Sequence, residues 1–303
     1  MNNELGNSSK HKLVVVTVKQ LLSRPLPIRE LILAPWLATQ SLNMIYSWRG
    51  VGKTQVALGI AYAVATGSSF LGWKASKPRG VLYLDGEMPA NALQERLSKI
   101  GYGKQNLKEE NLLLLTPDLQ ISKMPDLASN KGQQMIDELM LPSTELIIID
   151  NLSCFVRSGA RENDAESWLK IGEWALAKRT QGKSILFIHH AGKSGNQRGT
   201  SKREDILDTV ISLKHAPDYQ WDDGAHFEVH FEKARHILGK SVKPFIAHLT
   251  QNGSRQKWQT MALFNKNKII ELHKTGLSNS QIACVLGINR STVFRNLKNV
   301  KKN

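Results

Sequence analysis

Ser47-Trp48-Arg49-Gly50-Val51-Gly52-Lys53-Thr54 follows the apolar run Leu42 to Tyr46 and opens a helix-like segment that runs toward Gly67. A strand feeding a Gly-rich turn that ends in Gly-Lys-Thr has the layout of a phosphate-binding P-loop. The chemistry asks for these residue types. Glycines let successive backbone N–H groups converge on an anion, and the helix N-terminus adds positive potential. Lys53 can then reach the β- and γ-phosphates of ATP, and the Thr54 hydroxyl can join a Mg²⁺ shell. The expected nucleotide contacts are Ser47, Arg49, Gly50, Val51, Gly52, Lys53, Thr54 and Gln55. One departure is visible: Ser47 stands where the pattern G-x-x-x-x-G-K-[ST] begins with glycine. A chance Gly-Lys-Thr would not be expected to have strand, loop and helix all in place.

Outward from this loop, apolar runs alternate with helix-like stretches from about residue 42 to about residue 215. The expected strands are Leu42 to Tyr46, Gly80 to Leu84, Leu112 to Leu115, Glu145 to Ile149, Ser184 to Ile188 and Thr209 to Leu213. The expected helices are Gln55 to Ala65, Pro89 to Ile100, Lys131 to Met140 and Glu166 to Gln181. Strands rich in Ile, Leu and Val with little alternation are buried on both faces, which is the habit of a parallel sheet covered by helices. The expected fold class is therefore α/β, doubly wound. His226 to Glu232 and Pro244 to Leu249 read as edge strands closing the sheet, and the composition shifts at Gln251-Asn252-Gly253-Ser254. That shift sets the expected domains: a tail over 1–19, a nucleotide-binding domain over 20–253 and a small C-terminal module over 254–303.

Three further clusters fall at strand ends. In Tyr83-Leu84-Asp85-Gly86-Glu87-Met88-Pro89, Glu87 lies just past a buried strand, at the sheet edge that also carries the P-loop. A carboxylate there can orient and polarise a water attacking the γ-phosphate; the competing reading is a capping acid before Pro89. The strand Glu145 to Ile149 ends in Asp150, the natural second Mg²⁺ residue beside Thr54. The strand Ser184 to Ile188 ends in His189 and His190. Adjacent residues of a strand face opposite ways, so one of the two histidines is expected at the nucleotide; a surface histidine pair is the alternative. Spacing gives no zinc site there, and Cys154 and Cys284 sit in unrelated contexts.

The order of these motifs, with Gln197-Arg198-Gly199-Thr200-Ser201 and Glu232-Lys233-Ala234-Arg235, resembles the RecA-like ATPases of the hexameric plasmid replicative helicase type, the RepA-like group. The resemblance covers about residues 20 to 250. It implies a RecA-like P-loop NTPase working as a six-membered ring, with ATP and Mg²⁺ between subunits and single-stranded DNA in the ring channel. It makes Lys53 and Thr54 ligands of the triphosphate and metal, Glu87 the catalytic base, Asp150 a metal support and His190 a γ-phosphate sensor. It also implies a cation reaching into the neighbouring subunit's site. Arg198 is one candidate, and the Lys233 and Arg235 pair is the other.

The 303-residue chain carries a net charge of +15, and Ser254 to Asn303 alone holds ten Lys/Arg against the single acid Glu271. A basic end on a small module is the footprint of a polyanion binder, although a solvated tail has the same composition. Helices are expected over Ala262 to Lys274, Asn279 to Leu286 and Arg290 to Val300, with Gly276 and Gly287-Ile288-Asn289 as breaks. Ile269, Ile270, Leu272, Ile282, Val285, Leu286, Ile288, Val293 and Leu297 are the expected small core. The pattern resembles the helix-turn-helix of resolvases and transposases. Arg290, Ser291, Thr292 and Arg295 then meet phosphates and base edges of double-stranded DNA, unless the module is only a packing appendage. No apolar run approaches the roughly 20 residues that span a bilayer, and the chain reads as cytoplasmic. Two functions stay open: an ATP-driven DNA helicase or translocase of a plasmid or mobile element, and a DNA-binding regulator or helicase loader that switches state with ATP.

Overall fold

The computed structural model describes residues 13–101, 107–157, 165–192, 204–237, 239–252, 255–263, 266–286 and 290–298. In chain order the first elements are α1 (Val18–Leu22), β1 (Leu31–Leu33), β2 (Leu37–Ala38), β3 (Leu42–Ser47), α2 (Lys53–Thr66), β4 (Ser69–Phe70), β5 (Trp73–Lys74) and β6 (Gly80–Asp85). Next come α3 (Ala90–Gly101), β7 (Leu112–Leu115), α4 (Asn130–Leu139), β8 (Thr144–Asp150), α5 (Ala165–Thr180), β9 (Ser184–His190) and β10 (Thr209–His215). The chain closes with β11 (His226–Ala234), β12 (Phe245–Asn252), β13 (Arg255–Ala262), α6 (Lys266–Lys274), α7 (Asn279–Leu286) and α8 (Arg290–Lys298).

Nine strands form one sheet in the order β13-β12-β11-β10-β3-β9-β8-β6-β7. From β10 to β7 every neighbouring pair is parallel, and from β10 to β13 every pair is antiparallel. Strand alternation splits the apolar residues between two cores. In β8, Leu146 and Ile148 join the core containing α2, while Ile147 and Ile149 join Trp168, Ile171 and Trp174 of α5 on the other face. The sequence shows no alternation in these strands because both faces are covered.

Helix α2 runs under the middle of the sheet and is buried from Val56 to Ala65 without a polar face. Its tight fit requires Gly59, where an added Cβ would stand 2.2 Å from the Phe70 ring. Gly67 ends the helix in the left-handed region at φ 69°, where a Cβ would meet Pro78 at 2.8 Å.

The antiparallel half differs from expectation at its far end. The sequence predicts a domain boundary at 253 and a helix beginning at Ala262, with residues 255–262 leading into it. Those residues instead form β13, paired with β12 from Asn252↔Arg255 to Phe245↔Ala262. Trp258 packs edge-on against Phe70 at 5.5 Å and Phe227 at 5.7 Å, so aromatic contact and pairing hold the segment in the sheet. The expected boundary thus falls inside a strand pair, and the helical module begins at Lys266.

That module has its own small core of Ile269, Ile282, Ala283 and Val293, with Leu272, Leu277, Leu286 and Leu297 against it. Ser278 caps α7: its Oγ accepts from Gln281 N at 3.3 Å, and Gln281 Oε1 accepts from Ser278 N at 2.9 Å. Val285, expected in this core, is 61% exposed, because it lies at the rim of the α7 face that Ile282 buries. Ile288, with the expected turn 287–289, lies outside the described residues.

Candidate nucleotide site

Parallel strands all end at one edge of the sheet, and polar residues just past those ends share one cavity of about 960 Å³. The turn after β3 lends it Arg49, Gly50, Gly52, Lys53, Thr54 and Gln55. The end of β6 adds Asp85 and Glu87, β8 adds Asp150 and Asn151, and β9 adds His190. Strand β9 lies between β3 and β8, so the P-loop strand and the Asp150 strand are separated by the strand carrying His190.

Lys53 is 7% exposed and folds back over its own loop. Its Nζ donates to Trp48 O at 2.8 Å, Ser47 O at 3.1 Å and Ser47 Oγ at 3.2 Å. Burial pulls its pKa down to about 8, against the upward pull of Asp150 and Glu87. Gly52 adopts φ 120° and lies so close to β11 that a Cβ would meet Ala225 at 3.1 Å and Phe227 at 3.2 Å.

Asp150 is 4% exposed, and burial raises its pKa; hydrogen bonds from Tyr83 and Thr54, with Lys53 nearby, oppose that rise. The Tyr83 hydroxyl donates to Asp150 Oδ2 at 2.7 Å. A buried carboxylate bonded to the Thr54 hydroxyl is an oxygen set that fits a hard divalent cation beside a triphosphate. Next to it in the chain, Asn151 donates from Nδ2 to Glu87 Oε2 at 2.6 Å and holds that carboxylate in the cavity. Asp85 is also buried, and desolvation pushes its pKa up to about 6, although it accepts from Met88 N at 3.2 Å and Thr116 Oγ1 at 3.3 Å.

Several expected residues fall elsewhere. Ser47 and Val51 are buried at 1% and 0%, so their side chains support the loop from beneath rather than line the cavity. His189 is fully buried whereas His190 lines the cavity, which is the division that strand alternation requires. Lys233 and Arg235 do not line the cavity. Ala234 pairs with Thr209 at the start of β10, which puts the Lys233 end of β11 at the opposite edge of the sheet. There Lys233 Nζ donates to Glu204 O, and the Arg235 guanidinium donates to Asp205 O. Arg198 lies outside the described residues. Arg290 and Ser291 are exposed at the start of α8, and the side chains of Thr292 and Arg295 lie outside the described set.

The sequence reading missed Asn151, Arg96 of α3, and a whole wall of the cavity made by Asp222 to Ala225, His248 to Thr250 and Gln256. Asn151 follows Asp150 directly, so its place past a buried strand was the available signal. The wall had none, because only the antiparallel register turns those loops toward the P-loop edge.

A mainly parallel sheet with a P-loop helix beneath it and carboxylates at the neighbouring strand ends defines a RecA-like P-loop ATPase fold. Residues 7–196 match the family described as AAA domain (AAA_25), and the chain belongs to that family. Among solved structures, the KaiC-like protein PH0186 from Pyrococcus horikoshii OT3 is 15% identical, with 73% of this chain and 90% of that chain covered and a TM-score of 0.48. The flagellar accessory protein FlaH from Methanocaldococcus jannaschii is 14% identical, with 73% and 90% covered and a TM-score of 0.49. A third solved structure, described as an ATPase domain, is 12% identical, with 72% and 84% covered and a TM-score of 0.49.

Proposed function

We propose that this chain hydrolyses ATP as a ring and acts on DNA as a helicase or translocase of a plasmid or mobile element. The observation that carries the reading is the pairing of Glu87 with Asn151 in the cavity that Lys53, Thr54 and Asp150 also line. Glu87 is the base that takes the proton of the attacking water, and Asn151 holds its carboxylate in place. Lys53 swings from the loop carbonyls to the phosphates, where an ammonium has stronger partners. Thr54 and Asp150 would hold Mg²⁺, which neutralises charge developing on the phosphoryl oxygens. His190 donates toward the γ-phosphate. Lys233 and Arg235, at the sheet edge away from their own cavity, are available to a neighbouring subunit, as is Arg198.

The helical module supports a DNA role: α7 and α8 pack about a common core and leave Arg290 and Ser291 exposed at the start of the last helix. That module also favours a second reading, a DNA-tethered regulator or loader that switches assembly with ATP, since unwinding requires no such module. A forked-duplex unwinding assay with and without ATP, beside mass measurement of the oligomer, separates the two. ATP-dependent unwinding by a hexamer is expected. ATP-dependent assembly with no unwinding would select the regulator. Mixing Arg198→Ala or Lys233→Ala/Arg235→Ala chains with Lys53→Ala chains identifies the residue acting in trans, because only mixed rings with such a residue regain hydrolysis.

A further inference from the structure

The antiparallel wall of the cavity carries a side-chain cluster that ATP hydrolysis does not use. His226 opens β11, and His248 lies directly across from it on β12 as its Cα partner. Their rings stack with centroids 4.4 Å apart at 25°. Asp223 ends the short turn Trp221–Asp223 before β11, and its Oδ2 lies 3.0 Å from His226 Nδ1. One donor atom from each of these three side chains lies within 4.8 Å of the others. His226 is 5% exposed and its Nε2 has no hydrogen-bond partner; Asp218 Oδ1 stands 3.7 Å beyond it.

A buried imidazole nitrogen without a partner is costly, and stacked imidazoles repel if both are protonated. Two imidazoles and a carboxylate form the nitrogen and oxygen set preferred by borderline divalent ions rather than by Mg²⁺. Ligands about 2.0–2.2 Å from a tetrahedral ion lie roughly 3.3 Å from one another, so Nδ1 and Oδ2, hydrogen-bonded at 3.0 Å, need to part only slightly to share an ion. Small rotations of the side chains bring in the third donor. With the ion on Nδ1, the Nε2–H of His226 points at Asp218, the outer carboxylate that orients a liganding histidine.

We propose that Asp223, His226 and His248 bind a divalent transition ion of the zinc class, with Asp218 as the outer acceptor for His226. The ion ties the turn 221–223 to β12, and so stiffens the start of β11 where Ala225 and Phe227 lie against Gly52 of the phosphate loop. The competing arrangement is a protonated His226 bridged by Asp223 and Asp218, which needs no metal.

Co²⁺ titration of the full chain, stripped with chelator and kept in excess Mg²⁺ without nucleotide, decides between them. A tetrahedral Co²⁺ spectrum saturating at a single equivalent, displaced by Zn²⁺, is expected, with a melting temperature that rises with Zn²⁺. Asp218→Asn should weaken binding by about 10–100-fold, and His248→Ala and Asp223→Asn by more. Thr54→Ala should bind Co²⁺ as the parent does, which separates this site from the triphosphate site. His248 is only half-buried, so His248→Ala serves even if His226→Ala fails to fold. Absence of the Co²⁺ spectrum in the parent chain, or its survival in both His248→Ala and Asp223→Asn, overturns the proposal.

Discussion

The sheet has two halves built on different terms. From β10 to β7 the strands are parallel; β3 and β6 are buried throughout, and their chain ends deliver Lys53, Glu87, Asp150 and His190 to one edge. From β10 to β13 the strands form an antiparallel meander; β11 passes from buried to half-buried along its length, and the turns at the phosphate-loop edge supply a wall that includes Asp222, Asp223 and His248 but no residue of the Lys53, Glu87 and Asp150 set. Parallel order gathers chemistry because every strand ends at the same edge. Antiparallel order alternates its turns between edges, so half of them can enclose the site while the others carry Lys233 and Arg235 to the far side.

If the division is real, changes in the parallel half strike turnover and changes in the antiparallel half strike shape. Glu87→Gln should lower steady-state ATP turnover by about 10²–10⁴-fold while leaving ATP affinity close to the parent's, because the amide keeps size but loses basicity. Normal turnover would leave Glu87 a capping residue. Lys53→Ala should cost about 10²–10³-fold in kcat and weaken nucleotide binding as well, since it removes the cation nearest the transferring phosphoryl group. Hydrolysis at the parent rate would undo the assignment of the loop.

Gly52→Ala tests the seam where the halves touch. It places a methyl against Ala225 and Phe227 and imposes a positive φ on alanine. A loss of about 1–3 kcal/mol in urea unfolding is expected, together with weaker nucleotide binding. An unchanged midpoint would mean that the seam is slack.

Titration gives the smaller effects. Lys53 in the folded chain has a pKa of about 8, below the ordinary 10.5, because of burial. Between those values the unfolded chain binds more protons, so the nucleotide-free protein gains stability as pH rises through that window. Nucleotide needs the charged form, so its affinity should fall as pH passes about 8, by no more than about tenfold per pH unit, and this dependence should vanish in Lys53→Ala. Asp85 has the opposite shift, from 3.8 up to about 6, so the folded chain binds more protons in that interval and loses stability as pH climbs through it. Asp85→Asn should flatten that slope in unfolding measured from pH 4 to pH 6; an unaltered slope would place its origin in another carboxylate.

The same division decides what the sequence discloses. Strands β3, β6, β8 and β9 show as apolar runs because both their faces are covered, and the residues at or just past the ends of β6, β8 and β9 (Asp85, Asp150 and His190) reach the cavity. Position along the strand also separates His190 from His189. The segment Arg255 to Ala262 shows no strand pattern and falls with the C-terminal module on composition: its side chains are mostly polar, and only pairing with β12 and the seat of Trp258 beside Phe70 and Phe227 reveal a strand. Asp223 and His248 carry no local pattern, since register alone brings them to the cavity. Ser47 and Val51 were legible as loop residues but not as buried ones, because the pattern fixes the path of the backbone and not which side chains face inward.

Helix α2 has no face left to water over most of its length. Its interior amides are therefore expected to be among the slowest to exchange hydrogen, which exchange measured residue by residue along α2 checks. The loop from Trp48 to Gly52 is thus moored to a fully packed helix, so a displacement of the loop has a rigid element beneath it and not a fraying one.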